Sequence, residues 1–138
     1  MSRKEVIRVP GLPDPHRNAL EHCVRVGDLV FVAGQVAFDE QGEVISTDFD
    51  AQARACFEDV RLCLEAAGSS LADLVSMTVF LTDIERSRDF FKIRREVLGA
   101  DLSTSAVVGV SALVHPRLLV EIQAVGAVSN PQQSQKES

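Results

Sequence analysis

The chain predicts an α+β domain: a mixed β-sheet with two helices packed on one of its faces. Three observations lead there. Several segments alternate apolar and polar residues with a period of two, as half-buried strands do. Two others carry their apolar residues at helical spacing. The elements follow one another as β-β-β-α-β-α-β-β, an order that suits helices gathered on one side of a sheet better than a regularly wound parallel sheet. The 138 residues are enough for one domain. It is taken to span residues 1–128, with a polar tail over 129–138 expected to be disordered.

Residues 6–9 read as a short strand, followed by a loop holding Pro10, Pro13 and Pro15. Residues 20–26 read as a second strand, ended by the turn pair Gly27-Asp28, and 29–38 as a third, ended by Asp39-Glu40-Gln41-Gly42. Over 50–67 the residues Cys56, Val60, Cys63, Leu64 and Ala67 form one helical stripe; Thr47 or Asp48 can cap its start and Gly68 its end. Residues 74–82 are a strand. Asp83 can cap a second helix over 84–98, with Phe90, Ile93 and Val97 in its stripe and Gly99 closing it. Residues 107–113 and 118–128 are two more strands, joined by a turn containing Pro116.

Strand parity carries a further expectation. In 74–82 Val75, Met77, Val79 and Leu81 share one face. In 118–128 Leu118, Val120, Ile122 and Ala124 share one face, and Leu119, Glu121, Gln123 and Val125 the other. In 107–113 Val108, Val110 and Ala112 oppose Val107, Gly109, Ser111 and Leu113. Each strand thus offers one apolar face for the helices and one mixed face too apolar to leave in water over a whole sheet. Another subunit is the simplest cover. An obligate oligomer is expected, with Glu121, Gln123, Ser111 and Thr78 near its interface, where a carboxylate needs a partner.

Composition excludes several classes. With 14 Lys and Arg against 20 Asp and Glu, a net charge of −6, and neither Trp nor Tyr, the chain lacks the basic footprint and most of the stacking aromatics of a nucleic-acid binder. No apolar run reaches the roughly 20 residues of a membrane span, and the N-terminus has no apolar signal stretch, so a cytoplasmic protein is expected. The three cysteines, Cys23, Cys56 and Cys63, form no CxxC pair and read as reduced apolar filler. His16, His22 and His115 lack metal-ligand spacing, so no metal site is expected.

Several motifs together resemble a known family. Gly27-Asp28-Leu29-Val30-Phe31-Val32-Ala33-Gly34-Gln35 is similar to a G-D-x-x-F-x-S-G-Q signature. Gln52, Leu64, Ala67-Gly68 and residues 75–82 follow in the right order. The run Leu113-Val114-His115-Pro116-Arg117-Leu118-Leu119-Val120-Glu121-Ile122 resembles an L-x-x-P-x-x-L-V-E-I ending. Over roughly residues 20–127 the chain is identified as a member of the Rid family, also called YjgF, the reactive-intermediate (imine/enamine) deaminases. The resemblance implies a chorismate-mutase-like fold and a homotrimer built round a central barrel, with small-molecule clefts between subunits. It implies hydrolysis of an imine or enamine to a keto acid and ammonia without a cofactor. A glutamate on the last strand, here Glu121, helps position water. An arginine in a Pro-Ala-Arg-Ser/Thr motif grips the substrate carboxylate with two hydrogen bonds.

The chain departs from that pattern. The Pro-Ala-Arg-Ser/Thr segment falls on Ser103-Thr104-Ser105-Ala106, so Ser105 replaces the arginine and cannot form its two-pronged clamp. Leu20 stands where the family has a tyrosine, Phe91 where it often has an asparagine, and Ala33 where it has a serine; Gly34 and Glu121 are retained. The expected cleft includes Val107 on the same strand as Ser105, and prefers a less charged or more apolar compound than a small α-imino acid. Arg117 begins the last strand and His115 sits in the turn before it; either could supply another cation, though Arg117 reads first as a solvated turn residue. Arg94 with Arg95 reads as a solvated helix face. His22 could line the cleft or stand exposed on its strand. Glu121 acts either as general base or as a structural partner for a neighbouring subunit. A protein that binds a metabolite or partner without catalysis remains the other reading.

Overall fold

The chain is described over residues 3–129 by a computed structural model. The expected tail lies outside the described residues from position 130 on. Six strands, β1 (Glu5–Val6), β2 (Cys23–Val26), β3 (Leu29–Gln35), β4 (Leu74–Leu81), β5 (Thr104–Gly109) and β6 (Val120–Ala127), form one sheet in the order β1-β2-β3-β6-β4-β5. Neighbouring strands are antiparallel except β4 and β5, which run parallel and are linked through a helix. The helices are α1 (Phe49–Ala66) and α2 (Ser87–Leu98). α1 packs on β3 and β6, and α2 on α1. This is the mixed sheet with two helices on one face that the sequence predicts.

Local chemistry explains the boundaries. Asp48 caps α1 by accepting from the Ala51 amide at 3.0 Å, and Gly68, with φ +84°, turns the chain out of it. The whole predicted stripe of α1, Cys56, Val60, Cys63, Leu64 and Ala67, is buried. Phe57 and Phe90 stack between the helices, 5.7 Å apart. At Gly126 α1 lies directly on β6: a Cβ there would come within 2.6 Å of Leu64 Cδ2. All three cysteines are free and buried. Burial pushes the Cys23 thiol up to about 11, which keeps it protonated and unreactive.

The far face of the sheet has no helix over it. Across it run the rows Phe31–Val125–Ser76–Thr104 and Glu121–Phe80–Val108, paired strand to strand. Leu29, Phe31, Val75 and Val108 are 43%, 44%, 44% and 38% exposed there. Apolar side chains from three strands of the sheet are thus exposed on one face.

The structure corrects several boundaries. β1 is shorter than 6–9: Ile7 still donates to Cys23 O, after which the proline-rich run leaves the sheet. β2 starts only at Cys23, because Ala19 takes a left-handed turn (φ 58°) and carries Leu20 outside the ladder. β3 stops at Gln35, not at residue 38, with a register shift between Val32 and Gln35. α2 is preceded by a 3₁₀ turn, Ile84–Arg86, which takes the cap from Asp83. A register shift near Leu74 puts Leu74 in the core and leaves Val75 exposed, reversing the expected parity at that end of β4. β5 begins earlier than 107 and ends at Gly109, so Ser111 lies beyond it. Its inward residue is Val107, not Val108. Valines occupy both parities there, and only pairing with β4, where Val79 meets Val107, decides between them.

Candidate active site

β6 runs through the middle of the sheet, between β3 and β4. Its outward residue Glu121 pairs with Phe80 on one side and lies over the bare backbone of Gly34 on the other. A Cβ at Gly34 would fall on Glu121 Oε2 and 2.7 Å from Cδ. The glycine is required for this close approach, not for its backbone angles. Glu121 has no hydrogen-bond or ion-pair partner among the described residues. Burial raises its pKa above the ordinary carboxylate value. It is a half-buried, unpartnered base on an open sheet face.

Gln52 holds the approach to this strand. It is fully buried; its Nε2 donates to Ser46 O at 2.7 Å and Arg117 O at 2.8 Å, and its Oε1 accepts from the Leu119 amide at 2.8 Å. α1 thereby ties down the segment that leads into Glu121. Ala33 belongs to the same neighbourhood, at the irregularity in β3, and its amide donates to His22 O at 2.9 Å. The His22 ring is engaged at both nitrogens: Nε2 lies 2.7 Å from Pro13 O and Nδ1 3.3 Å from Gln35 Nε2. A proton on Nε2 satisfies both contacts, and His22 serves as a tie between loop and sheet. His22 also lines a groove of about 620 Å³ with Val9, Leu12 and Glu21, which includes neither Glu121 nor Ser105. Leu20 lies beside a neighbouring groove with Lys4 and Val24.

Ser105 and Val107 lie elsewhere. They pair with Met77 and Val79, on the helix side of β5, whereas Glu121 is on the opposite side of the sheet. Nor is the Ser105 position without a cation. Arg94 Nη1 donates to Ser105 Oγ at 2.6 Å and approaches Met77 Sδ at 3.7 Å. Its guanidinium lies 5.3 Å from the Phe90 ring centre and 5.2 Å from that of Phe91. Arg94 is therefore not part of a solvated helix face. The available signal was its spacing, four residues after Phe90 and three after Phe91, which turns it toward the apolar side of α2. Arg117 is exposed; its amide donates to His115 Nδ1 at 3.1 Å, and its side chain makes no hydrogen bond or ion pair among the described residues. The chain thus holds two groups: Glu121 with Gly34 and Ala33, and Ser105 with Arg94 and Phe91. No cluster of His, Cys, Asp or Glu able to hold a metal occurs among the described residues. No described helix is long and apolar enough to cross a membrane.

A six-stranded mixed sheet with both helices on one side and a glutamate lodged over a strand glycine defines a recognisable class. Residues 14–128 match the family model described as Endoribonuclease L-PSP. A RutC family protein of Pyrococcus abyssi is 33% identical over 123 residues, covering 88% of this chain and 95% of the relative. TdcF of Escherichia coli K12, a candidate reactive intermediate deaminase by name, is 36% identical over 80 residues, 58% of this chain and 59% of its own. The crystal structure of RidA from the Antarctic bacterium Psychrobacter sp. PAMC 21119 superposes with a TM-score of 0.83 at 30% identity, over 90% of this chain and 99% of that one. The chain belongs to the Endoribonuclease L-PSP family, which is the Rid/YjgF family.

Proposed function

We propose that this chain, as one unit over residues 1–128, is a cofactor-free hydrolase. It deaminates an imine, an enamine or a related C–N compound in a cleft completed by a second copy of itself. The observation that carries this reading is the Glu121 carboxylate, half-buried over Gly34 and beside Phe80, with no partner of its own. Burial makes it a better base than an exposed carboxylate. It takes a proton from a water molecule as the water oxygen attacks the C=N carbon. The nitrogen picks up a proton, giving a carbinolamine. Protonated again, the nitrogen leaves as ammonia while the carbinol oxygen closes to a carbonyl. The name of TdcF supports the same chemistry.

The uncovered apolar face supports an assembly, and the family resemblance supports a homotrimer. Free buried cysteines suit a reducing, cytoplasmic compartment. The net charge of −6 argues against RNA as the substrate despite the family's descriptive name. The second reading, a trimer that binds a metabolite or a partner protein without catalysis, is favoured by Ser105 in place of an arginine.

Ammonia release from freshly generated imines, compared between wild type and Glu121→Gln, tests the assignment. The variant should lose ~10²-fold or more in turnover, the usual range for a general base. The acid limb of the wild-type pH–rate profile should lie above the ordinary carboxylate range and vanish in the variant. Equal rates would remove the catalytic role and leave the binding-protein reading.

A further inference from the structure

We propose that Gln52 of α1 is a positioning residue for Glu121: its side-chain amide fixes the start of β6 and so holds the carboxylate over Gly34. The start of β6 needs such a hold. The ladder between β3 and β6 reaches only to Gln35 opposite Ile122, and the register shifts between Val32 and Gln35. Glu121 precedes that last pair. Its regular strand partner is Phe80 of β4, and ahead of it the Thr82 amide reaches Leu119 O at 3.2 Å. A strand end paired on one side alone opens more readily than the middle of a sheet.

Gln52 supplies the second hold. Its Nε2 donates to Arg117 O at 2.8 Å while its Oε1 accepts from the Leu119 amide at 2.8 Å. These two groups flank Leu118, and they are the pair that a residue of a neighbouring parallel strand would engage. The other Nε2 hydrogen goes to Ser46 O at 2.7 Å, just ahead of the Asp48 cap of α1. Both donors of the amide are therefore used. Gln52 is itself anchored, because its backbone amide donates to Asp48 O at 3.0 Å in the first turn of the helix. Gln52 is 0% exposed and Leu118 1%. Groups left unpaired at this depth have no water to turn to.

Two residues beyond Leu119, Glu121 sits against Gly34 so closely that a Cβ there would lie 2.7 Å from Cδ. A small shift of the strand end takes the carboxylate off this seat and toward water. Its neighbours on β3 and β4, Gly34 and Phe80, do not titrate. The buried Cys56 thiol of α1, 3.6 Å from Val120 O, feels the charge of Glu121 and stays protonated. The basicity of Glu121 thus comes from its half-buried position, and that position depends on where β6 begins.

The inference rests on the hydrolase reading for its effect on turnover, and two readouts keep the two apart. The first is the titration of the Glu121 carboxyl carbon by NMR, assigned by its absence from Glu121→Gln, with folding and assembly followed by circular dichroism and sedimentation. Gln52→Met fills the same space without the hydrogen bonds. Its Glu121 midpoint should fall from the wild-type value toward the ordinary carboxylate range. The second readout is imine turnover. Gln52→Met should lose ~10-fold or more in kcat with KM little changed, the mark of a displaced base. Added to Glu121→Gln it should cost nothing further, because it acts through the group already removed. Where Gln52→Met does not fold, Gln52→Glu serves: in its neutral form it still accepts from Leu119 and donates to one carbonyl, and its Glu121 midpoint should lie slightly below that of wild type. An unmoved Glu121 midpoint in a folded variant, a loss confined to KM, or losses that add in the double variant would overturn the proposal. Should Glu121→Gln deaminate at the wild-type rate, the hydrolase reading falls, and the carboxyl titration alone decides whether Gln52 seats Glu121.

Discussion

A methyl group on Gly34 would meet the free end of a flexible side chain, since the nearest atoms are Oε2 and Cδ of Glu121. The chain can relieve that overlap by swinging the carboxylate aside, with no movement of backbone. Gly34→Ala should therefore unfold in urea within about 1 kcal/mol of wild type. Its turnover should fall ~10²-fold, because a base displaced by an ångström no longer reaches the proton it must take. Wild-type turnover in the Gly34→Ala variant would show that the placement of Glu121 does not matter to the chemistry. Gly34 and Glu121 were both legible as residues of interest from the motifs around them. Their contact was not, because the residues lie on different strands and the irregularity in β3 sets which of them meet. Arg94 shows the opposite failure: its charge and position on a helix were plain, and its spacing from Phe90 and Phe91 was available, but its partner Ser105 lies on a different element.

On the scale of the element, α1 carries a titrating group outside its buried stripe. Asp59 is half-buried on the flank of the helix, and burial together with neighbouring Glu58 raises its pKa from 3.8 to about 7. It has no hydrogen-bond or ion-pair partner among the described residues. Between those two values the folded chain keeps a proton that the unfolded chain has released. The unfolded state is then the one favoured as pH rises, so this group's contribution to stability is intact below about pH 4 and is lost progressively up to about pH 7. The urea midpoint of wild type should fall between pH 5 and pH 8 relative to Asp59→Asn, which cannot titrate. Parallel midpoints for the two proteins across that range would mean that Asp59 is already ionised in the folded chain.

For the whole molecule, the decisive feature is a sheet with only one side covered. The helices bury Val120, Ile122 and Ala124 of β6 and leave Glu121, Gln123 and Val125 on the other side, where Phe31 is 44% exposed. A second copy offers the simplest shield for such a face. Sedimentation at micromolar concentration should find wild type assembled. Phe31→Glu, which plants a charge in the middle of the apolar row, should shift it toward the single chain. A wild-type protein that sediments as a lone chain would leave the exposed row unexplained and remove the shared cleft.

The order of strands and helices, the buried stripe of α1, the cap at Asp48 and the two-sided character of β6 could all be read from the chain alone. Each depends on residues close together in sequence, whose spacing and turn chemistry act before any distant contact forms. Tertiary structure decided what depends on distant partners. Pairing with β4 turned Val107 inward and Val108 outward, a choice the valines on both parities of β5 left open. The close pass of β6 over β3 brought Glu121 onto Gly34. A hydrogen bond between elements brought Arg94 of α2 to Ser105 of β5, residues that neither local pattern links.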